Sequence, residues 1–489
     1  MQRRFSAPDI DFDAIRTELG IAEDYGEAAR EQARGAVDRY AADRTDRTDL
    51  PLVTIDPPSS RDLDQAVHLT ADDDGFLVDY AIADVAALIE PEGALDAESR
   101  RRGTTLYFPD RSVPLHPREL SEGAGSLLPD QIRPAVLWTI RVTPDGIPGE
   151  VTVRRATVRS VAKLTYAGVA ADAAAGRLHP SITALPAFGA LRARVALDRG
   201  AVELTLPEQE VSRDGDTWTV GLAPRTPADD WNSELSLLAG MCAGTIMADA
   251  GVGLLRTLPP GEPAAVGVIR ALADALGVDW PTEQSPGGAR REVSPGRFLA
   301  SLPPDRPSTP ALMSAATGLM RGAGYLVLGR AADGSLIDAV RNRPVGDDDL
   351  RHAAIGGVYA HVTAPLRRLA DRFATEVCLA VTAGSPIPDW VSRALPTLPT
   401  IMRAADALGA AADRASIDLA EAVILADRVG ERFSSVVTHA ATGRRPAQVF
   451  IADPAIVAPC DGTLTPGMRV DVTLTHADPL TRTVRFAPV

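Results

Sequence analysis

Over the first fifty residues, apolar side chains recur at three- and four-residue spacings, in "FDAIRTELG" and again in "YGEAAREQARGAVDRYAADR". That period predicts a helical N-terminal segment spanning residues 1–50, and the charged run "DRTDRTDLP" that breaks it marks a boundary. From "PLVTI" the period shifts toward two. "GFLVDYAIADVAALI" predicts a strand running into a helix, and "AVLWTIRVTPDGIPGEVTVRRATVRSVAKLTY" a hairpin about a "TPDG" turn. "NSELSLLAGMCAGTIMADA" returns to helical spacing with an Asn/Ser cap. The Pro-, Gly- and Ser-rich stretch 281–310 predicts a crossing loop or surface insert. Helices follow through "STPALMSAATGLMRGAGYLVL" and from about 365 to 430, and short alternating strands in the last sixty residues predict a small β-barrel. The whole is an α+β chain: helical residues 1–50, a mixed sheet with surrounding helices over 51–427, and an OB-like barrel over 428–489.

Composition narrows the class. A chain of 489 residues with 45% hydrophobic and 24% charged residues can bury a large core. No run of about 18 apolar residues predicts a membrane span. The N-terminus lacks the apolar stretch of a signal peptide, and three scattered cysteines, Cys242, Cys378 and Cys460, suit a reducing cytoplasm. The net charge of −15 argues against broad affinity for phosphate backbones, though not against a local basic channel. Of the 50 basic residues only Lys163 is lysine, so single arginines carry little weight as phosphate ligands.

The densest chemistry lies in "VTIDPPSSRDLDQAVHL", with Asp56, Asp62 and Asp64 inside nine residues after a strand. In an extended segment Asp62 and Asp64 point the same way, and the "PPSS" turn can fold them back toward Asp56. Three carboxylates converging on one point suit a hard divalent cation. Capping of nearby amides by the same aspartates is an equal alternative on spacing alone. No phosphate-binding glycine loop, nucleophile elbow or His-rich ligand spacing competes.

"TIDPPSSRDLDQAV" resembles the signature of the ribonuclease II/ribonuclease R (RNB) family, TID followed by D-x-D-D-A. "VDYAIADVAALI", "GTTLYFPDRSVPLHPRELSE", "SLLPDQIRPAVLWTI", "KLTYAGV", "NSELSLLAG" and "YAHVTAPLRRLAD" resemble further family motifs, in the family's order, over about residues 51–430. The resemblance implies an RNB catalytic domain with a terminal S1/OB barrel. It implies a monomeric, cytoplasmic 3′→5′ exoribonuclease that hydrolyses single-stranded RNA to 5′-mononucleotides with Mg²⁺ or, alternatively, Mn²⁺. Asp56, Asp62 and Asp64 fall on three of its four active-site aspartates, as metal ligands. Asp62 and Asp64, with Arg367 at the arginine that contacts the scissile phosphate, form the catalytic group. Tyr107 and Tyr166 fall on tyrosines of the RNA channel, and Arg133, Lys163 and Arg368 become candidate phosphate contacts. Asp84 and Asp371 match aspartates expected to be structural, and His361 is expected to be a satisfied structural histidine.

The resemblance breaks at specific points. The fourth aspartate is Gln65, whose carbonyl can still ligate a metal but carries no charge. "TSPIRRY" has become "TAPLRRL", Thr375-Glu376 stands where His-Arg is common, and no aromatic appears near "LPEQEV". The first fifty residues do not resemble the family's cold-shock barrels. A catalytically impaired RNA-binding or scaffold protein is therefore the alternative. A phosphohydrolase acting on DNA or small phosphodiesters is a third, separable by its indifference to a 2′-hydroxyl.

Overall fold

In the computed structural model, residues 6–7, 9–206, 208–223, 225–284, 290–304, 306–443 and 445–489 are described. The loop of the Pro/Gly insert at 285–289 and Pro207 of "LPEQEV" fall outside them.

The centre is a sheet of five strands: β1 (Leu52–Ile55), β2 (Gln65–Asp72), β3 (Gly75–Ala83), β4 (Ile132–Val142) and β5 (Pro148–Leu164). β1 and β2 are antiparallel with Val53 opposite Val67, and β2–β3–β4 continue antiparallel. The long β5 pairs with β4 along its first part and, in parallel, with β1 along its last residues. The pairings thus return to the starting strand. β1 reads "LVTI" and is buried on both faces, as a strand inside such a circuit must be. A short strand, Thr45–Asp46, adds in parallel to β5.

Three long helices frame the sheet: α1 (Pro227–Ala250), α2 (Leu369–Thr382) and α3 (Leu398–Leu425). α1 begins five residues before the expected Asn/Ser cap, because Thr226 and Asp229 form a capping box with Pro227 in the first turn. Every residue of α2 from Leu369 to Ala380 is buried. A helix enclosed on all sides must neutralise its charges internally, and each one here is paired: Asp371 with Arg368, Arg372 with Asp96 and Glu376 with Arg155.

Several expectations need correction. Among the described residues of the first fifty, the α-helices are two short ones, Asp13–Glu18 and Glu27–Arg34, the second ending at Gly35, with a 3-10 turn at Ala41–Asp43. "GYLVL" is strand Gly324–Arg330 rather than helix: its β-branched and aromatic residues pair with Gly253–Thr257. The described part of the 281–310 insert holds a two-stranded ribbon, Thr282–Gln284 with Arg290–Glu292, and a short helix, Pro295–Ala300.

The C-terminal strands β6 (Arg432–His439), β7 (Ala447–Ile451), β8 (Ile456–Cys460), β9 (Arg469–Asp478) and β10 (Thr483–Pro488) close as a barrel in the order β6-β7-β8-β10-β9. Its core of Val449, Ile456, Val472 and Phe486 also takes in Ala422 and Leu425 of α3, so the barrel is seated on the long helix. Among the described residues no helix is long and apolar enough to cross a membrane.

Candidate active site

The β1–β2 connection carries the aspartates. Asp56 follows β1, and its N–H donates to Leu164 O of β5 at 3.0 Å, which fixes the exit of the chain. Ser60 N–H donates to Pro57 O at 3.1 Å, closing the "PPSS" turn. Ser126 then brackets the return: its hydroxyl donates to Arg61 O at 2.6 Å and accepts from Leu63 N–H at 2.9 Å. Leu63, between the two acids, is fully buried. Alternation about this buried pivot sets Asp62 and Asp64 on a common side.

Burial dominates the electrostatics. Asp56 is pushed up to about 6 by burial, with the charge of Asp62 adding to the effect and Lys163 opposing it. Its Oδ2 is buried with no hydrogen-bond partner. Burial also raises Asp62, against the field of Arg367. Asp64, only 5% exposed, is held well above the usual carboxylate range by burial. Its Oδ1 accepts from Leu366 N–H at 2.8 Å, while Oδ2 faces Arg367 Nε at 3.6 Å, beyond hydrogen-bond length. Arg367 itself is 51% exposed. Tyr107, 54% exposed and hydrogen-bonded through its hydroxyl to Arg367, stands beside Asp62. Tyr166 lies on the Asp56 side, where Asn232 Nδ2 donates to its hydroxyl at 3.4 Å.

The expected convergence of three carboxylates on one point is not met: among the described residues no three His, Cys, Asp or Glu side chains are grouped to hold an ion. Asp64 is turned toward the Leu366 amide and Arg367 instead. The donor chemistry nonetheless fits a hard divalent cation. All donors are carboxylate oxygens, one of Asp56 is buried without a partner, and the Arg367 guanidinium beside Asp64 is itself half-exposed.

Gln65 does not present a free ligand. Its Oε1 accepts from the Tyr80 hydroxyl and lies 3.2 Å from that of Ser236, the two hydroxyls being 2.9 Å apart, and Nε2 donates to Thr363 O at 2.7 Å. Lys163 and Arg368 likewise serve the scaffold. Lys163 Nζ donates to Pro58 O and Ser60 O at 2.9 and 2.6 Å, bracing the aspartate loop, and Arg368 is paired with Asp371. Both spend donors on the protein itself, two N–H of the Lys163 ammonium and the Nε and Nη2 edge of Arg368, and so act first as parts of the scaffold. Arg133 has no carboxylate partner among the described residues, but its Nε donates to Ser126 O at 3.0 Å, on the loop's support. Asp84 caps the helix Val85–Leu88 and pairs with Arg44 and Arg155. His361 is half-buried against Tyr325, whose hydroxyl lies 2.7 Å from Nδ1.

Sequence reasoning passed over Ser126, His116, Tyr80 and Ser236. Their signal was present only as members of the "SLLP", "PLHP", "VDYAIADV" and "NSELS" motifs. None announces that a hydroxyl or imidazole there grips backbone or amide groups far along the chain.

A fold of this kind, with its carboxylate loop and terminal barrel, matches the model of the RNB domain over residues 44–381 and that of the RNase II-type exonuclease C-terminal S1 domain over residues 431–489. The chain belongs to the RNB family. Ribonuclease R of Chlamydia trachomatis is 27% identical over 372 residues, covering 74% of this chain and 50% of that protein. Exoribonuclease 2 of Vibrio vulnificus is 31% identical over 249 residues, covering 48% and 38% respectively. The alignments thus span half or less of these curated relatives. Among solved structures, the apo form of Mycoplasma genitalium RNase R superposes with a TM-score of 0.83 at 18% identity, over 98% of this chain and 77% of that one. Yeast Ssd1, described as a pseudonuclease, superposes with a TM-score of 0.65 at 14% identity, over 94% and 56%. These two likenesses bear on fold alone.

Proposed function

We propose that this protein is a divalent-metal-dependent 3′→5′ exoribonuclease that releases 5′-mononucleotides from single-stranded RNA. One observation carries the reading: a buried, unpartnered carboxylate oxygen on Asp56 lies with Asp62 and Asp64 behind a half-exposed Arg367, in the motif order of the RNB family.

Asp56, Asp62 and Asp64 are the residues that would hold the cation, Mg²⁺ or Mn²⁺. Such an ion, when bound, lowers the pKa of attacking water and offsets charge on the phosphate. Arg367 reaches the phosphoryl oxygens of the last linkage and stabilises charge that grows there in the transition state. The Leu366 N–H holds Asp64 in place and, with Arg367, opposes the upward push of its burial. Tyr107 offers an aromatic face to the terminal base, which any base can stack on. Water oxygen bonds to phosphorus as the bond to the 3′-oxygen of the preceding nucleotide breaks. That oxygen leaves as a 3′-hydroxyl, and a 5′-mononucleotide is released.

A second reading, an RNA-binding protein without turnover, draws on the ungrouped acids and the neutral Gln65. The test is 5′-labelled RNA incubated in Mg²⁺, in Mn²⁺ and in EDTA, beside Asp64→Asn and a 2′-deoxy substrate. A ladder shortening from the 3′ end, absent in EDTA, in Asp64→Asn and with the deoxy strand, is the expected outcome. RNA retained without product in either metal favours the second reading, and cleavage of the deoxy strand favours a general phosphodiesterase.

A further inference from the structure

The loop formed by residues 363–368, "TAPLRR", has almost no secondary structure of its own, yet it carries the exposed Arg367. Its backbone is gripped one residue after another. Thr363 O accepts from Gln65 Nε2 at 2.7 Å, and Ala364 N–H donates to Asp371 Oδ2 at 2.7 Å. Pro365 O lies 3.3 Å from His116 Nε2, and Leu366 N–H donates to Asp64 Oδ1 at 2.8 Å. Arg367 O accepts from Thr105 N–H at 2.9 Å and from the Thr104 hydroxyl at 3.0 Å. Two adjacent side chains at the head of the β1–β2 hairpin, Asp64 and Gln65, therefore grip the loop at two points, one as acceptor and one as donor.

We propose that Gln65 is a positioning residue: its amide clamps the 363–368 loop and thereby aims Arg367, and it is not a metal ligand. The inference rests on the nuclease reading for the identity of what Arg367 meets. The need at this position is a donor, because a backbone carbonyl faces it. An ionised Asp or Glu is acceptor-only and would set a carboxylate against Thr363 O. The amide is fixed in one orientation, since the hydroxyls of Tyr80 and Ser236 converge on Oε1 and leave Nε2 to Thr363. Tyr80 is 1% exposed and Thr363 4%, so water cannot replace either partner without opening the core. On its other side the Gln65 carbonyl is already engaged within the protein, by the Tyr80 hydroxyl with Ser236 beside it.

The clamp and the ligand assignments give opposite signs in the same variants. Gln65→Glu supplies charge but removes the donor, and Tyr80→Phe frees a lone pair of Gln65 while loosening its amide. Wild type, Gln65→Glu, Tyr80→Phe, Arg367→Ala and the Gln65→Glu/Arg367→Ala double variant would be compared after thermal melting shows each to be folded. Three measurements follow: calorimetric titration of the RNA-free protein with Mg²⁺ and with Mn²⁺, hydrogen exchange of the 363–368 amides, and RNA binding in EDTA. A clamp predicts metal affinity and stoichiometry unchanged within about threefold in Gln65→Glu and Tyr80→Phe, with faster exchange in the loop. RNA binding should weaken about tenfold in Gln65→Glu, with little further loss when the change is added to Arg367→Ala, because the two act as one unit.

Tighter metal binding in Gln65→Glu or Tyr80→Phe, with unchanged loop exchange, would overturn the proposal and make Gln65 a ligand. Equal losses of RNA binding with and without Arg367 would overturn the link to the arginine. None of these measurements needs turnover. An inactive wild type would therefore sink the nuclease reading while the titration and exchange still decide the clamp.

Discussion

Two sets of buried carboxylates lie within this fold, and they are treated in opposite ways. Around α2, Asp84 meets Arg44 at 2.8 Å and Arg155 at 3.0 Å, and Asp96 meets Arg372 and, at 3.0 Å, Arg100. Burial works to raise Asp96, but Arg372 and Arg100 outweigh it and hold the group below its ordinary range. On the β1–β2 loop, Asp56 keeps an oxygen without a partner and is pushed up to about 6, and Asp64 has Arg367 no closer than 3.6 Å. Taking a carboxylate out of water is costly unless opposite charge accompanies it. Near α2 the chain brings that charge itself. At the loop it leaves the charge to be brought in, which is the mark of a binding site rather than of a structural cluster.

The contrast can be broken at either end. Asp64→Asn should lower single-turnover cleavage about a thousandfold, about 4 kcal/mol in the barrier, without lowering the melting temperature, since it removes a poorly compensated buried charge. Asp84→Asn should do the reverse. It takes one of two carboxylate partners from each of Arg44 and Arg155, costs about 3 kcal/mol of stability in denaturant titration, and leaves turnover of the folded fraction within about twofold. If the two variants gave the same signature, the distinction between the sets would fail. Arg367→Ala should reduce kcat/KM about a hundredfold, because a guanidinium aimed at a developing charge is lost.

Asp56 sharpens the comparison through pH. Its folded-state pKa of about 6 lies above the unfolded value, so the metal-free folded protein binds the extra proton. Stability of that form should fall as pH rises from about 4 to about 6 and then level off. Added Mg²⁺ should therefore raise the melting temperature more at about pH 7.5 than at about pH 5, where it competes with a proton. Asp56→Asn should flatten that dependence, and a melting series in EDTA and in Mg²⁺ reads both. The smallest effect belongs to Arg133→Ala, with RNA affinity down about threefold and a slightly shallower salt slope.

Residue type and order single out Asp56, Asp62, Asp64, Arg367 and Tyr107, because their motifs are read in sequence, and the fold brings Arg367 beside Asp64. The same motifs did not reveal what Gln65, Lys163 and Arg368 do. Their partners are Thr363 O, the Pro58 and Ser60 carbonyls, and Asp371, and hydrogen bonds to backbone leave no trace in the identity of the residue that accepts them. The helix cap at Thr226 was missed for a related reason: two polar residues at 232 and 233 satisfy a capping rule, but the capping box and Pro227 five residues earlier satisfy it better.

The sequence by itself determined the class of fold, the hairpin that holds the aspartates, the terminal barrel and the acids and arginine of the site. Periodicity and short-range turn chemistry act over a few residues, and each of these features is written on that scale. Only the tertiary structure decided which charges are neutralised within the protein and which are left open. That outcome depends on contacts between groups as far apart in sequence as Asp64 and Leu366, and on the burial that makes an unpartnered oxygen costly.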